Sequence, residues 1–164
     1  MTQVSLTLNG NKVKNEVEPR TSLADFVRDH HDLTGTNLGC EQGVCGACTM
    51  IVDGIPIRSC LVRVTTCGGT HVQTIESFDD DEIMIQLRAA FSTHHALQCG
   101  YCTPGMLATA RDIVMRLPDA DTNQIRLELS GNLCRCTGYT GIIHAISSVL
   151  KSRKENIFAP NTAI

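Results

Sequence analysis

Val4, Leu6 and Leu8 alternate with polar residues in VSLTLNG, a period of two that predicts a strand with one buried face. Asn9-Gly10 is a hairpin signal, and KVKNEVEP supplies a return strand. The period then changes. Leu23, Phe26 and Val27 fall at i, i+3 and i+4, so residues 22–31 are expected to be helical, with Thr21 as the N-cap and His30 and His31 at a solvated end. TNLGCEQGVCGACT is too rich in glycine for either element and reads as an ordered loop. TMIVDG and IPIRSCLV, joined at Asp53-Gly54, predict a second hairpin, and THVQTI a last strand ending near Ile75.

SFDDDE, residues 77–82, reads as a linker or as the acidic first turn of a helix. After it the apolar spacing is helical. Ile83, Leu87, Ala90 and Phe91 mark one helix. Pro104 opens another, which carries Met106, Leu107, Ala110, Ile113, Val114 and Leu117 and stops at Pro118. Thr122 caps a short helix expected to end at Gly131, and Ile142, Ile143, Ile146, Val149 and Leu150 mark a fourth. The tail KSRKENIFAPNTAI has no clear period. Strands wrapped around one helix fit a β-grasp arrangement. The expected class is therefore α+β, with a β-grasp domain at residues 1–76 and a helical domain at 77–164.

Composition narrows the functions. Hydrophobic residues make up 42% and charged residues 19% of the 164, which suits a folded globular chain. A net charge of −3 without a basic stripe gives no nucleic-acid signal. No apolar run approaches the ~20 residues a bilayer span needs. MTQVSLTLNG has no basic n-region, apolar h-region or twin arginine, so a cytoplasmic location is expected. In that reducing compartment nine cysteines point to metal rather than disulfides. A secreted disulfide scaffold fits poorly with the odd count and the missing signal.

The first group, GCEQGVCGACTMIVDGIPIRSC, spaces Cys40, Cys45 and Cys48 as C-x4-C-x2-C and places Cys60 further on. This is the plant-type ferredoxin spacing for a [2Fe–2S] cluster. Three thiolates on one loop wrap a small core, and a fourth from a neighbouring strand closes it. Gly39, Gly43 and Gly46 are expected to adopt the φ values that turn amides toward the sulfurs. The competing readings are structural zinc, which prefers paired C-x2-C knuckles, and a set of buried thiols. A Rieske centre lacks its two histidines.

The second group opens with HHALQCGYCTPGM, where Cys99 and Cys102 form a C-x2-C knuckle just before a helix. Two more ligands are needed, and SGNLCRCTGY supplies Cys134 and Cys136 between the turn formers Gly131 and Gly138. A redox-active C-x-C disulfide is the rival reading. Cys67 is left over and reads as a buried or incidental thiol. His94 and His95 read as ordinary polar residues.

GCEQGVCGAC with Cys60, QCGYCTPGM and GNLCRCTGY, in this order, resemble the small iron–sulfur subunit of the molybdenum hydroxylase (xanthine oxidase) family over residues 3–150. The resemblance implies a β-grasp plant-type ferredoxin domain and a four-helix bundle, each with one [2Fe–2S] cluster. Cys40, Cys45, Cys48 and Cys60 would hold the cluster nearer the flavin; Cys99, Cys102, Cys134 and Cys136 would hold the one nearer molybdenum. Gln98 and Cys136 match positions close to the pterin, and Glu41, Gln42, Gly43 and Val44 would face the flavin side. The span before Cys60 matches the separate-subunit bacterial type. That type implies a large molybdopterin subunit, with the cytosine dinucleotide cofactor, a medium FAD subunit, and a dimer of heterotrimers. The role implied is electron transfer, with substrate chemistry elsewhere, and the wording of the motifs is most similar to N-heterocycle hydroxylases. A free-standing two-cluster ferredoxin and a zinc-binding interaction module are the competing functions.

Overall fold

A computed structural model describes residues 1–158, with side chains through Glu155. Strands β1 (Thr2–Leu8) and β2 (Asn11–Val17) form the first hairpin, turning at Asn9 and Gly10 with positive φ. β3 (Thr49–Val52) and β4 (Ile55–Arg58) form the second, and β5 (His71–Gln73) completes a five-stranded sheet in the order β2-β1-β5-β3-β4. β1 and β5 run parallel while the other pairs are antiparallel. β5 is shorter than its sequence suggests, because Ile75–Phe78 coils into a 3-10 turn.

Two of the expected caps move by one residue. Ser22, not Thr21, caps α1 (Leu23–Asp25): its hydroxyl accepts the Asp25 N–H at 3.0 Å and donates to the Asp25 carboxylate at 2.6 Å. The Thr21 backbone is engaged elsewhere, accepting the Val64 N–H at 3.1 Å. The helix widens at once into a π turn over Phe26–His30. His31 is not solvated: its ring packs edge-on against Phe26 at 4.8 Å, and burial, reinforced by His30, lowers its basicity.

The helical half contains α2 (Glu82–Thr93), α3 (Thr103–Arg116), α4 (Thr122–Glu128) and α5 (Thr140–Phe158). The acidic stretch 77–82 serves as a helix start, since Asp81 caps α2 through the Met84 N–H at 2.8 Å. Asp121, not Thr122, caps α4 through the Gln124 N–H, and a 3-10 turn, Leu129–Gly131, separates α4 from the loop beyond. The tail lacks an apolar period but is helical to Phe158. Ion pairs tie it down, with Lys154 on Asp119 at 2.8 Å and Arg153 near Glu82 at 3.7 Å.

Two apolar clusters form. One joins β1, β2, α1 and Val72 around Leu23, Phe26 and Met50. The other joins α2–α5 around Met84, Leu87, Phe91, Met106 and Ile146. Each fully buried Leu, Ile, Phe or Met contributes about 1.5–3 kcal/mol. Ile51 on β3 belongs to the second cluster, so the sheet packs directly on the helices.

Candidate functional site

The first thiol set is carried by the loop before β3 and by the 3-10 turn Ser59–Leu61 after β4. The loop backbone curls around Cys40. Glu41, Gly43 and Gly46 all have positive φ, at 53°, 75° and 72°. Gly39 does not take part in this curl. It is needed for space instead, because a Cβ there would lie 3.0 Å from the Cys45 sulfur. As a result the N–H groups of Gln42 and Cys45 both donate to Cys40 Sγ at 3.4 Å. These amides stabilise a thiolate, and the Cys40 pKa falls from 9.0 to about 6. Burial pushes Cys60 the other way, to about 11, helped by the Cys48 thiol.

The second set lies where the start of α3 meets the loop between α4 and α5. Cys102 is the N-cap residue of α3. Burial, then the Cys134 thiol, raises it to about 12, so desolvation outweighs the helix dipole there. Burial also acts on Cys134, but the Thr137 hydroxyl at 3.2 Å and nearby backbone N–H groups outweigh it and hold the thiol down. At Cys136 the Cys99 backbone N–H pulls down, while the Cys99 thiol, burial and like charge prevail and raise it. A cleft of about 170 Å3 opens here, lined by Cys99, Cys102, Cys134 and Cys136 and, from the first set, by Cys45.

Within each set the thiols lie close enough to bear on one another's ionisation: Cys45 acts on Cys40, Cys48 and Cys40 on Cys60, Cys134 and Cys99 on Cys102, and Cys99 and Cys134 on Cys136. Among the described residues, no three His, Cys, Asp or Glu side chains converge as ligands of a single ion. Four thiols in each set, with N–H donors on the Cys40 sulfur, fit the ligand count and the charge of a two-iron core.

The other expected residues are placed as follows. Gln98 is exposed beside Cys99, and Cys136 is exposed. Glu41, Gln42 and Val44 are exposed on the first loop, while Gly43 is half-buried against Leu61. Cys67 is buried away from both sets, its sulfur 3.8 Å from the Arg63 carbonyl. One residue the motifs do not single out is Asn132. Its side chain, 1% exposed, donates to the carbonyls of Gly46 and Gly105 and accepts from Thr109 and Arg58. Tyr139 adds a second clamp: its hydroxyl donates to the Asn132 carbonyl at 3.0 Å and accepts the Cys134 N–H at 2.8 Å.

Comparison with known proteins shows the family. A family described as "2Fe-2S iron-sulfur cluster binding domain" matches residues 11–91, and one described as "[2Fe-2S] binding domain" matches residues 74–147. The chain is 48% identical to caffeine dehydrogenase subunit gamma of Pseudomonas sp. (strain CBB1), covering 89% of each chain. It is 42% identical to the nicotine 6-hydroxylase small subunit of Paenarthrobacter nicotinovorans, over 88% of this chain and 87% of that one. Its fold superposes on quinoline 2-oxidoreductase from Pseudomonas putida 86 with a TM-score of 0.87 and 47% identity, over 94% of this chain and 96% of that one. The chain belongs to the small iron–sulfur subunits of the xanthine oxidase family of molybdenum hydroxylases. It is a two-[2Fe–2S] electron-transfer component of a multi-subunit oxidoreductase.

Proposed function

We propose that Cys40, Cys45, Cys48 and Cys60 hold one [2Fe–2S] cluster and that Cys99, Cys102, Cys134 and Cys136 hold the other. The gathering of Cys99, Cys102, Cys134 and Cys136 around one cleft, with backbone amides aimed at the Cys40 sulfur in the other set, is the observation that carries this reading. When bound, each cluster takes up and releases one electron at a time. The protein supplies thiolates, amides aimed at sulfur, and partial burial, which together tune the potential.

The two apolar clusters support a division into a sheet domain at 1–76 and a helical domain at 77–164, of which 159–164 lie outside the described residues. In this reading the exposed Gln98 and Cys136 lie toward a molybdopterin cofactor, in its cytosine dinucleotide form, on a large subunit. Glu41, Gln42, Gly43 and Val44 face a medium subunit that carries FAD, and the whole assembles as a dimer of heterotrimers in the cytoplasm. Caffeine, nicotine and quinoline, in the names of its relatives, are all N-heterocycles, which supports a substrate of that class.

EPR of the purified complex is the test. Cys45→Ser is expected to abolish one of two [2Fe–2S] signals and leave the other, and Cys67→Ser to leave both. Two unchanged signals in Cys45→Ser would overturn the ligand assignment. A lone chain of native mass near 17.8 kDa carrying both clusters would overturn the subunit assignment.

A further inference from the structure

β2 is an edge of the five-stranded sheet, paired with β1 on one side and with no strand on the other. The turn at Asn9 and Gly10 joins Leu8 to Asn11, and in a two-residue hairpin that flanking pair exchanges backbone hydrogen bonds. Every second residue of β2, counted from Asn11, therefore bonds to β1. The N–H and C=O groups of Lys12, Lys14 and Glu16 point away from the sheet. An open row of this kind is a template for another strand.

The side chains select the strand that fits. From residue 12 to residue 18 the order is Lys, Val, Lys, Asn, Glu, Val, Glu. Counted outward from Asn15, each lysine has a glutamate at the same distance on the other side, and Val13 mirrors Val17. We propose that two copies of this chain pair through β2, antiparallel and with Asn15 on the dyad, so that two five-stranded sheets become one. Lys14 of one copy then lies opposite Glu16 of the other, twice over, and Lys12 comes near Glu18. Moving the dyad by one residue, to Lys14 or to Glu16, sets that residue against its own copy, like charge on like. The rival role of edge charges is to repel pairing, and a run of one sign would do so in every register. This run is self-complementary in the register centred on Asn15.

One copy alone leaves these charges without partners. Lys12, Lys14 and Glu16 share the exposed face of β2, Glu18 follows just beyond it, and among the described residues none of the four makes an ion pair. On β1 they face Thr7, Ser5 and Gln3, which are neutral. Asn15 Oδ1 is enclosed with no hydrogen-bond partner, and the dyad sets a second Asn15 amide beside it. The two Lys14–Glu16 pairs supply about four backbone hydrogen bonds. The ladder stops beyond them, because the Glu18 carbonyl already accepts the Thr21 N–H at 3.1 Å and Pro19 follows. So short a ladder is a small interface, and the dimer is expected to be weak. β2 is at the opposite edge of the sheet from β3 and β4, which flank the first thiol set, so the pairing does not depend on the cysteine assignments.

The test is sedimentation of the full chain, loaded with its clusters, from micromolar concentration to ~1 mM. Dimer is expected to accumulate with concentration and to weaken as salt is added. Lys14→Glu and Glu16→Lys each set like charges opposite one another twice, and each is expected to weaken the dimer about tenfold. The double reversal, Lys14→Glu with Glu16→Lys, restores opposite charges and is expected to restore wild-type association. Hydrogen exchange gives a second readout, with protection of the outward Lys14 and Glu16 amides rising as the dimer forms. A single species of 17.8 kDa at every concentration would overturn the proposal. A dimer indifferent to both single reversals, or one that leaves those amides unprotected, would overturn β2 as the interface. Weakening by both single reversals without rescue in the double would overturn the register centred on Asn15. Cluster absorbance is expected to match wild type in all three variants, since the substituted side chains are exposed. If a variant fails to load, the salt series on the wild-type chain decides, and a dimer insensitive to salt would overturn the charge pairing.

Discussion

Arg58 at the end of β4 reaches Asn132 in the loop after α4, with Nη2 3.2 Å from Oδ1 and 2.6 Å from the Gly131 carbonyl. The same guanidinium donates to the Thr49 hydroxyl at 2.7 Å. One cation therefore joins the sheet to the loop that leads into the second thiol set.

Asn132→Ala should destabilise the chain by about 2–4 kcal/mol, because in a buried place it removes the acceptor of the Thr109 hydroxyl and Arg58 together with one donor to each of the Gly46 and Gly105 carbonyls. Urea unfolding of the metal-free chain measures this. A change within the ~0.5 kcal/mol typical of a surface substitution would contradict the hub role.

Asp81 both caps α2 and receives Arg111 Nε at 3.0 Å and Nη2 at 2.7 Å. Arg111 in turn stacks over Phe78. Burial opposes ionisation of Asp81, but the Arg111 pairing and the Met84 N–H outweigh it and hold the pKa below the usual carboxylate value. A depressed acid stabilises the fold above its unfolded pKa, ~3.9, and that stability is lost as pH falls through the folded value. Asp81→Asn should keep the cap, lose the ion pair, and cost about 1–3 kcal/mol at neutral pH. The difference from wild type should shrink below pH ~3.9. A constant difference in denaturant midpoint down to that pH would contradict the account.

Thiol reactivity in the metal-free chain should be ordered by environment. Cys40, at about 6, is a thiolate at neutral pH and should react with iodoacetamide well ahead of Cys102, at about 12. Peptide mapping of a brief labelling gives the order. The linkage signs differ too. The Cys40 contribution to stability is present above the ordinary thiol pKa and fades as pH falls toward about 6, whereas those of Cys60 and Cys102 fade as pH rises from 9 toward about 11 and 12.

Much of this was legible along the chain. Alternation at Val4, Leu6 and Leu8 marks β1, and the apolar stripe of α3 follows Pro104 as its spacing predicts. The Cys40, Cys45 and Cys48 loop and the Cys99, Cys102 knuckle are visible from local spacing, whereas the approach of Cys134 and Cys136 to that knuckle is a distant contact. What sequence did not carry depends on distant contacts. The cap moved to Ser22 because the Thr21 backbone pairs with Val64. The positive φ of Glu41 has no glycine to announce it. Asn132 meets Gly46 across 86 positions, a partnership that no local pattern encodes. Arg153 and Lys154 of α5 make ion pairs with Glu82 and Asp119 and add nothing to an apolar stripe, so a search for periodicity passes over them.

Metal and acid-labile sulfide analysis of the purified chain, read with its visible spectrum, tests the central claim most directly. Two independent four-thiol sites predict a red-brown protein with two irons and two sulfides per site, and loss of one site's share in Cys45→Ser. A colourless chain that binds zinc, or a single cluster unaffected by Cys45→Ser, would contradict it.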